Sequence, residues 1–391
     1  MKHRHQSLIR SHILYAILVI GFVFTLQLTL PMYINSSFLG SYVSESTVGI
    51  IYIIGSVLTI LGFLATNKIL TRYGNHKTAL TLIGLQAAVI LGIILSDDFR
   101  FIALFFVLST MLSAMIGLTI DIFLEIHTDV RHAGGIRGLF MTVINIAWII
   151  APLVGGAIMG MGGFRYIYGA ALCFLVLLAY LVSKNFRHFH DPAYSHIPIT
   201  RTVMHVLRSR DLTMTFCANI ILNIFYAWMV IYTPIYLHSE IGFSWDEIGV
   251  IFTVMLLPFI IFQYPLGKIA DSKLGEKEMM TLGFIITAIA TYALTFITVK
   301  SVVLWSVALF MTRVGASVAE VMIETYFFKK VDPRESKVLS LFRITRPIAY
   351  IIAPAITGLA LMYTGHSGMF IVLGILTGCA IFFTIAIRDT N

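Results

Sequence analysis

Long apolar runs separated by short charged segments occupy most of this chain of 391 residues. A helix that crosses a bilayer needs about 20 predominantly apolar residues, and the chain contains twelve runs of that kind. Hydrophobic residues make up 58% of the sequence and charged residues 12%, whereas soluble domains have about 45–50% and about 25%. We therefore predict an all-α membrane protein with twelve transmembrane helices. The predicted spans are 13–35, 47–68, 77–96, 101–126, 137–161, 165–183, 213–238, 247–267, 279–299, 302–328, 338–364 and 367–387.

The distribution of basic residues predicts the orientation of these spans. Twenty-one lysines and arginines fall on the side of the two termini, and only Arg100, Arg165 and Lys300 fall on the other side. Because cytoplasmic loops carry the excess of positive charge, we expect a multi-pass protein of the cell membrane (plasma or inner membrane) with both termini in the cytoplasm. The same topology accounts for the net charge of +8, so we infer no nucleic-acid partner.

An internal repeat divides the chain into two halves. Residues 139–156 (LFMTVINIAWIIAPLVGG) align without gaps with residues 341–358 (LFRITRPIAYIIAPAITG), and nine of the eighteen positions are identical. Shorter echoes at offsets of 200–203 link the first span with the seventh and the second with the eighth. Six spans per unit in the same orientation indicate a parallel repeat. We predict an N-terminal six-helix bundle (1–184), a cytoplasmic linker (185–212) and a pseudo-symmetric C-terminal six-helix bundle (213–391).

The loops after the second span of each half carry a recognisable motif. Residues 267–277 (GKIADSKLGEK) resemble the loop signature of the major facilitator superfamily, and residues 71–77 (TRYGNHK) resemble it except that Thr71 stands where the family usually has aspartate. Residues 151–156 also resemble the family's fifth-span motif. The candidate gate residues are Gly267, Asp271, Gly275 and Lys277 in the second half and Arg72 and Gly74 in the first.

The resemblance implies two bundles that rock around a central cavity lined by spans one, four, seven and ten. It also implies that Asp271 latches against the start of the fifth span, near Gly134 and Gly135, where the helix dipole carries about half a positive charge. The alternative is a solvated turn that only satisfies the positive-inside topology.

Ionisable residues inside spans concentrate in the fourth, tenth and eleventh. Asp121 and Glu125 are four residues apart, as are Glu320 and Glu324, so each pair shares a helix face; Arg313 falls on the face of Glu320. Such groups cost about 2.5–3.5 kcal/mol each to insert, and they are functional candidates by default. The alternative is that they lie at the cytoplasmic interface and extend to water.

Two arginines of the eleventh span are predicted to compensate the acids of the tenth. At 1.5 Å per residue from the cytoplasmic ends, Glu320 and Arg346 both lie about 13 Å deep, and Glu324 and Arg343 about 7–9 Å deep. The first half has Met141 and Ile144 at the matching positions. We therefore expect Asp121, as the first candidate, and Glu125, as the second, to lack such a partner and to carry a proton.

Four polar residues of the first and seventh spans are candidates for a substrate cavity. They are Gln27, Asn219, Asn223 and Tyr226. For the two asparagines, substrate contact and interhelical hydrogen bonding are equally good interpretations.

These features favour a secondary active transporter of a small organic solute, coupled to protons, with export slightly favoured over import. The alternative is a proton-independent facilitator; a polytopic membrane enzyme or receptor fits less well, because no HExxH or GxSxG motif is present. We expect no enzymatic activity, no cofactor and no metal, since the three cysteines have no metal-binding spacing. The expected partners are the solute, protons and the lipid bilayer, and the chain is expected to act as a monomer.

Overall fold

The architecture is helical wherever the structure describes the chain. A computed structural model describes residues 2–127, 133–187, 189, 191, 199–262, 275–330 and 336–388, and these residues contain no strand. This confirms the predicted all-α membrane fold, in which each helix satisfies its own backbone hydrogen bonds in lipid. The helices are α1 (Lys2–Thr29), α2 (Asn35–Gly40), α3 (Glu45–Tyr73), α4 (Asn75–Leu95), α5 (Phe99–His127), α6 (Ala133–Gly162), α7 (Phe164–Asn185), α8 (Ile199–Arg208), α9 (Arg210–Ile235), α10 (Trp245–Leu256), α11 (Pro258–Ile261), α12 (Glu276–Leu294), α13 (Val302–Lys330) and α14 (Ser336–Ala386).

Eleven helical segments within the described residues are long and apolar enough to cross a membrane. Each corresponds to a predicted span. The remaining predicted span, 247–267, begins within α10. A capping box formed by Ser244 and Glu247 stabilises the start of α10. Pro258 then opens the short helix α11, because proline lacks the N–H that would continue α10. Residues 263–267 of this predicted span lie outside the described residues.

The first span is shorter than the sequence suggested. The prediction ran to residue 35, but α1 ends at Thr29 and a series of turns follows. Pro31 is the cause, because it cannot donate a helical hydrogen bond. The matching Pro234 lies one residue before the end of α9, where the chain continues as a five-residue π-helix, Tyr236–Glu240.

The internal repeat is visible in backbone geometry. Gly163, between α6 and α7, has φ 76° and ψ −166°. Gly365 interrupts α14 with φ 67° and ψ −175°, and it lies 202 residues later, at the offset of the eighteen-residue repeat. A positive φ is easily adopted by glycine alone, so both halves turn between their fifth and sixth spans in the same way.

The chain forms two compact units. Unit 1 comprises Met1–Tyr42 and Ile54–His196, and unit 2 comprises Val43–Ile53 and Ile197–Asn391. In unit 1, α1 packs against α5, α6 and α7, and α4 packs against α5 and α7. In unit 2, α14 packs against α9 and α12, and α13 packs against α10 and α12. The predicted boundaries of the bundles and the linker remain a prediction.

Helices α12 and α13 approach each other through two glycines. A Cβ atom at Gly315 would lie 2.5 Å from the carbonyl oxygen of Gly283 and 2.5 Å from Thr287 Oγ1. Small residues at such contacts allow the helix backbones of a membrane protein to pack closely.

Replacing Gly315 by alanine should therefore destabilise unit 2. The added methyl group meets backbone atoms that cannot move aside, and overpacking of this kind costs about 1–3 kcal/mol. The measurement is the thermal stability of the purified protein in detergent. Gly84→Ala is the matched control, because a Cβ atom there would meet nothing within 4 Å. Equal stability of the two variants would contradict the predicted close packing.

Candidate functional site

A buried arginine of unit 2 contacts two aromatic side chains. Arg313, on α13, is 1% exposed. Its guanidinium carbon lies 4.8 Å from the ring centre of Phe225 and 5.3 Å from that of Tyr226, both on α9. Arginine is attracted to aromatic faces at such distances, and the attraction is stronger where water is excluded. The two rings thus stabilise a positive charge inside the protein.

Tyr226, on α9, contacts both Arg313 and an acid on the same helix as Arg313, α13. The Tyr226 hydroxyl donates a hydrogen bond to Glu320 Oε2 at 3.2 Å and lies 3.5 Å from the carbonyl oxygen of Ala316. Arg313 and Glu320 are seven residues apart, so they lie two turns apart on one face of α13. Tyr226 therefore contacts the arginine with its ring and the carboxylate with its hydroxyl.

Further charges surround Glu320, which is half-buried. Glu324, Arg346 and Arg313 all lie near enough for their charges to act on its carboxylate. Glu324 and Arg346 are exposed and Arg343 is half-buried, and each of these three has an interaction partner. The structure thus brings the predicted arginine of α14 near the predicted acid of α13.

The two asparagines of α9 have protein partners. Asn219 is 8% exposed, and its Nδ2 donates to Thr345 Oγ1 on α14 at 2.9 Å. Asn223 Nδ2 donates to the carbonyl oxygen of Asn219 at 2.8 Å. The Asn219 bond is the interhelical hydrogen bonding that the sequence left open beside substrate contact, whereas the Asn223 bond stays within α9.

The predicted residues of unit 1 lie in different surroundings. Asp121 is half-buried and Glu125 is exposed. Asp121 has an interaction partner, and its role as a proton carrier stays a prediction. The sequence comparison considered only the matching arginine positions of span five and could not exclude other partners. Gln27 is 2% exposed, and its Oε1 accepts no hydrogen bond from the described residues.

The first gate loop receives a carboxylate from elsewhere in the chain. Gly74 has φ 76° and precedes α4, and the backbone N–H of Asn75 donates to Asp191 Oδ1 at 2.6 Å. Arg72 lies 5.3 Å from the ring of its neighbour Tyr73. An acid is favourable at a helix N-terminus because of the helix dipole. Sequence analysis missed Asp191, which lies 116 residues from Asn75; the missing aspartate of the first loop was the only hint.

The second gate loop is described only at its end. Gly267 and Asp271 lie outside the described residues. Gly275 precedes α12, and Lys277 lies half-buried in its first turn. Glu276, which the sequence analysis did not single out, is 1% exposed and forms an ion pair with Lys329 at the end of α13.

Comparison with known proteins agrees with this architecture. Residues 13–245 and residues 214–391 each match the model of the Major Facilitator Superfamily. The chain therefore belongs to the major facilitator superfamily, and it is a multi-pass membrane transporter. No curated protein matches the chain.

Replacing Asp191 by alanine should loosen the start of α4. The substitution removes the acceptor of the Asn75 N–H, and losing such a cap costs about 0.5–2 kcal/mol. Hydrogen exchange measured by mass spectrometry should therefore become faster in the first turn of α4.

Two variants control this experiment. Asp191→Asn keeps a side-chain oxygen and should exchange more slowly than Asp191→Ala. Asp98→Ala removes the acceptor of the Arg100 N–H at the start of α5 and should leave α4 unchanged. Unaltered exchange at α4 in Asp191→Ala would show that the carboxylate does not cap this helix.

Proposed function

We propose that this transporter couples the movement of a small organic solute to protons, with Glu320 as the proton-carrying residue. The observation that carries the proposal is the hydrogen bond from Tyr226 to Glu320 beside the buried Arg313. An ionisable carboxylate in a membrane helix is costly unless it has a function or a partner. Here the partner is a neutral phenol with one proton to donate, and the acid is half-buried.

Protonation of Glu320 would change the contact between α9 and α13. The ionised carboxylate accepts the Tyr226 hydrogen bond and attracts Arg313 and Arg346. The neutral acid accepts a weaker hydrogen bond and loses the attraction to both arginines. A proton therefore favours a different arrangement of these helices, and a ligand that prefers one arrangement shifts the population between them.

We further propose that both termini lie in the cytoplasm and that the protein exports its solute in exchange for protons. The excess of basic residues on the terminal side supports this orientation. The position of the acids toward the cytoplasmic ends of their helices supports export, because protons entering from outside would be released near the cytoplasm. The gate formed by Asp271 belongs to the same proposal.

Exchanging Glu320 for glutamine should uncouple transport from protons. The experiment reconstitutes the protein in liposomes with an imposed pH gradient, a pH-sensitive dye inside and a panel of sugars, drugs and organic acids outside. The wild type should move protons when its solute is present. Glu320→Gln should reduce the proton flux to background but retain exchange of the solute down its own gradient.

Glu278→Gln is the control, because Glu278 is exposed on α12, and it should behave as the wild type. Solute movement in the wild type without proton flux would instead identify a facilitator. Unchanged coupling in Glu320→Gln would remove this acid from the mechanism.

Asp121→Asn tests the second candidate acid in the same assay. If Asp121 also carries a proton, the variant should lose solute accumulation against a gradient. Unchanged accumulation would assign proton coupling to unit 2 alone. Glu278→Gln again serves as the control, because Glu278 is exposed on α12 and is not a candidate proton carrier.

A further inference from the structure

The start of α3 packs with unit 2, although the rest of the helix belongs to unit 1. Residues Val43–Ile53 cluster with unit 2, and unit 1 resumes at Ile54. Glu45, Gly49 and Tyr52 are spaced at i, i+4 and i+7, which places them on one face of α3. We call this face the docking face.

The docking face lies directly against α9 and α14. A Cβ atom at Gly49 would lie 2.9 Å from Tyr232 Oη and 3.1 Å from Pro354 Cβ. The ring centres of Tyr52 and Tyr350 are 6.3 Å apart. Gly49 thus permits a close approach that a larger residue would prevent.

A histidine between two carboxylates holds the end of this face. His366 Nε2 lies 3.0 Å from Glu45 Oε1, and His366 Nδ1 lies 3.6 Å from Glu240 Oε1. The three residues come from the first turn of α3, the end of the π-helix and the break in α14 after Gly365. We call them the His366 cluster. The His366 side chain is 36% exposed, so protons reach it from water.

Histidine is the side chain whose unperturbed charge change falls between pH 5 and 8. Protonated histidine donates from both ring nitrogens, whereas the neutral ring has one donor and one acceptor. Only the protonated ring can therefore donate to both glutamates at once, whereas the neutral ring can donate to one of them. The other titratable groups here are Tyr232, which faces Glu45, and Tyr236, which faces Glu240; phenols remain neutral in this range. Docking of α3 should consequently be strong at acid pH and weaken as the pH rises.

We propose that the His366 cluster is a proton-operated clamp that holds the start of α3 on unit 2 at acid pH and releases it at alkaline pH. Any movement that carries the start of α3 away from α9 and α14 has to break the clamp. In the orientation proposed above, the cluster faces the outside, so external pH would regulate the transport cycle independently of the proton carried by Glu320.

Distances between spin labels test the clamp without any knowledge of the solute. Labels are attached to cysteines placed at Ser44 and Thr364, both exposed, after Cys173, Cys217 and Cys379 have been replaced by serine. In lipid nanodiscs at about pH 5.5 we expect one short distance, and at about pH 8 a population at longer distances. His366→Gln should abolish the dependence on pH. His366→Lys, which keeps a positive charge, should remain docked at both pH values.

Three further variants make the result decisive. Gly49→Leu should give the long distance at both pH values, because the side chain collides with α9 and α14. His238→Gln is the matched histidine control and should retain the pH response, since His238 contacts the Phe243 carbonyl oxygen and the Trp245 ring. Glu320→Gln should also retain it. The clamp is refuted if the wild-type distances do not depend on pH, if His366→Gln still responds, or if Glu320→Gln abolishes the response.

Discussion

The exclusion of water from the bilayer is the constraint on which this structure depends. Backbone N–H and C=O groups have no water to bond there, so each span must be a helix. Within the described residues, breaks occur at residues that force or permit them: Pro31 after α1, the π-helix that follows Pro234, Pro258 between α10 and α11, and the glycines at positions 163 and 365. Two of these breaks contribute residues to the His366 cluster. Glu240 and His366, for example, occupy the π-helix and the break in α14.

The same constraint determines how charges are arranged inside unit 2. Arg313 is fully buried, yet its charge faces two aromatic rings, and one of these rings carries the hydroxyl that bonds Glu320. A buried charge without such partners would be strongly destabilising. Because each group depends on the next, a change of charge at Glu320 affects both helices that meet at Tyr226. This is the property that proton coupling requires of a site.

The sequence predicted the helices well because the length of an apolar run is set by bilayer thickness and is local information. It also brought Glu320 and Arg346 into one hypothesis, because depth can be counted along regular helices, whereas it assigned Tyr226 to a separate substrate cavity. The sequence did not predict contacts between segments that are distant along the chain. Asn75 and Asp191 are 116 residues apart, and Glu45 and His366 are 321 apart. Nothing in the apolar pattern of α3 indicated that its first turns pack against α9 and α14.

The starts of α4 and α12 each combine a glycine with a carboxylate, although the two gate loops differ in sequence. The sequence suggested an intact second loop and a degenerate first one, because Thr71 replaces an aspartate. Yet a glycine precedes the third span of each half, at Gly74 and Gly275, and a carboxylate follows at each helix start. In unit 1 it comes from Asp191, beyond α7; in unit 2 it is Glu276, which pairs with Lys329. Asp191 therefore links the chain after α7 to the first gate loop by a hydrogen bond. A displacement of Asp191 would consequently act directly on the start of α4.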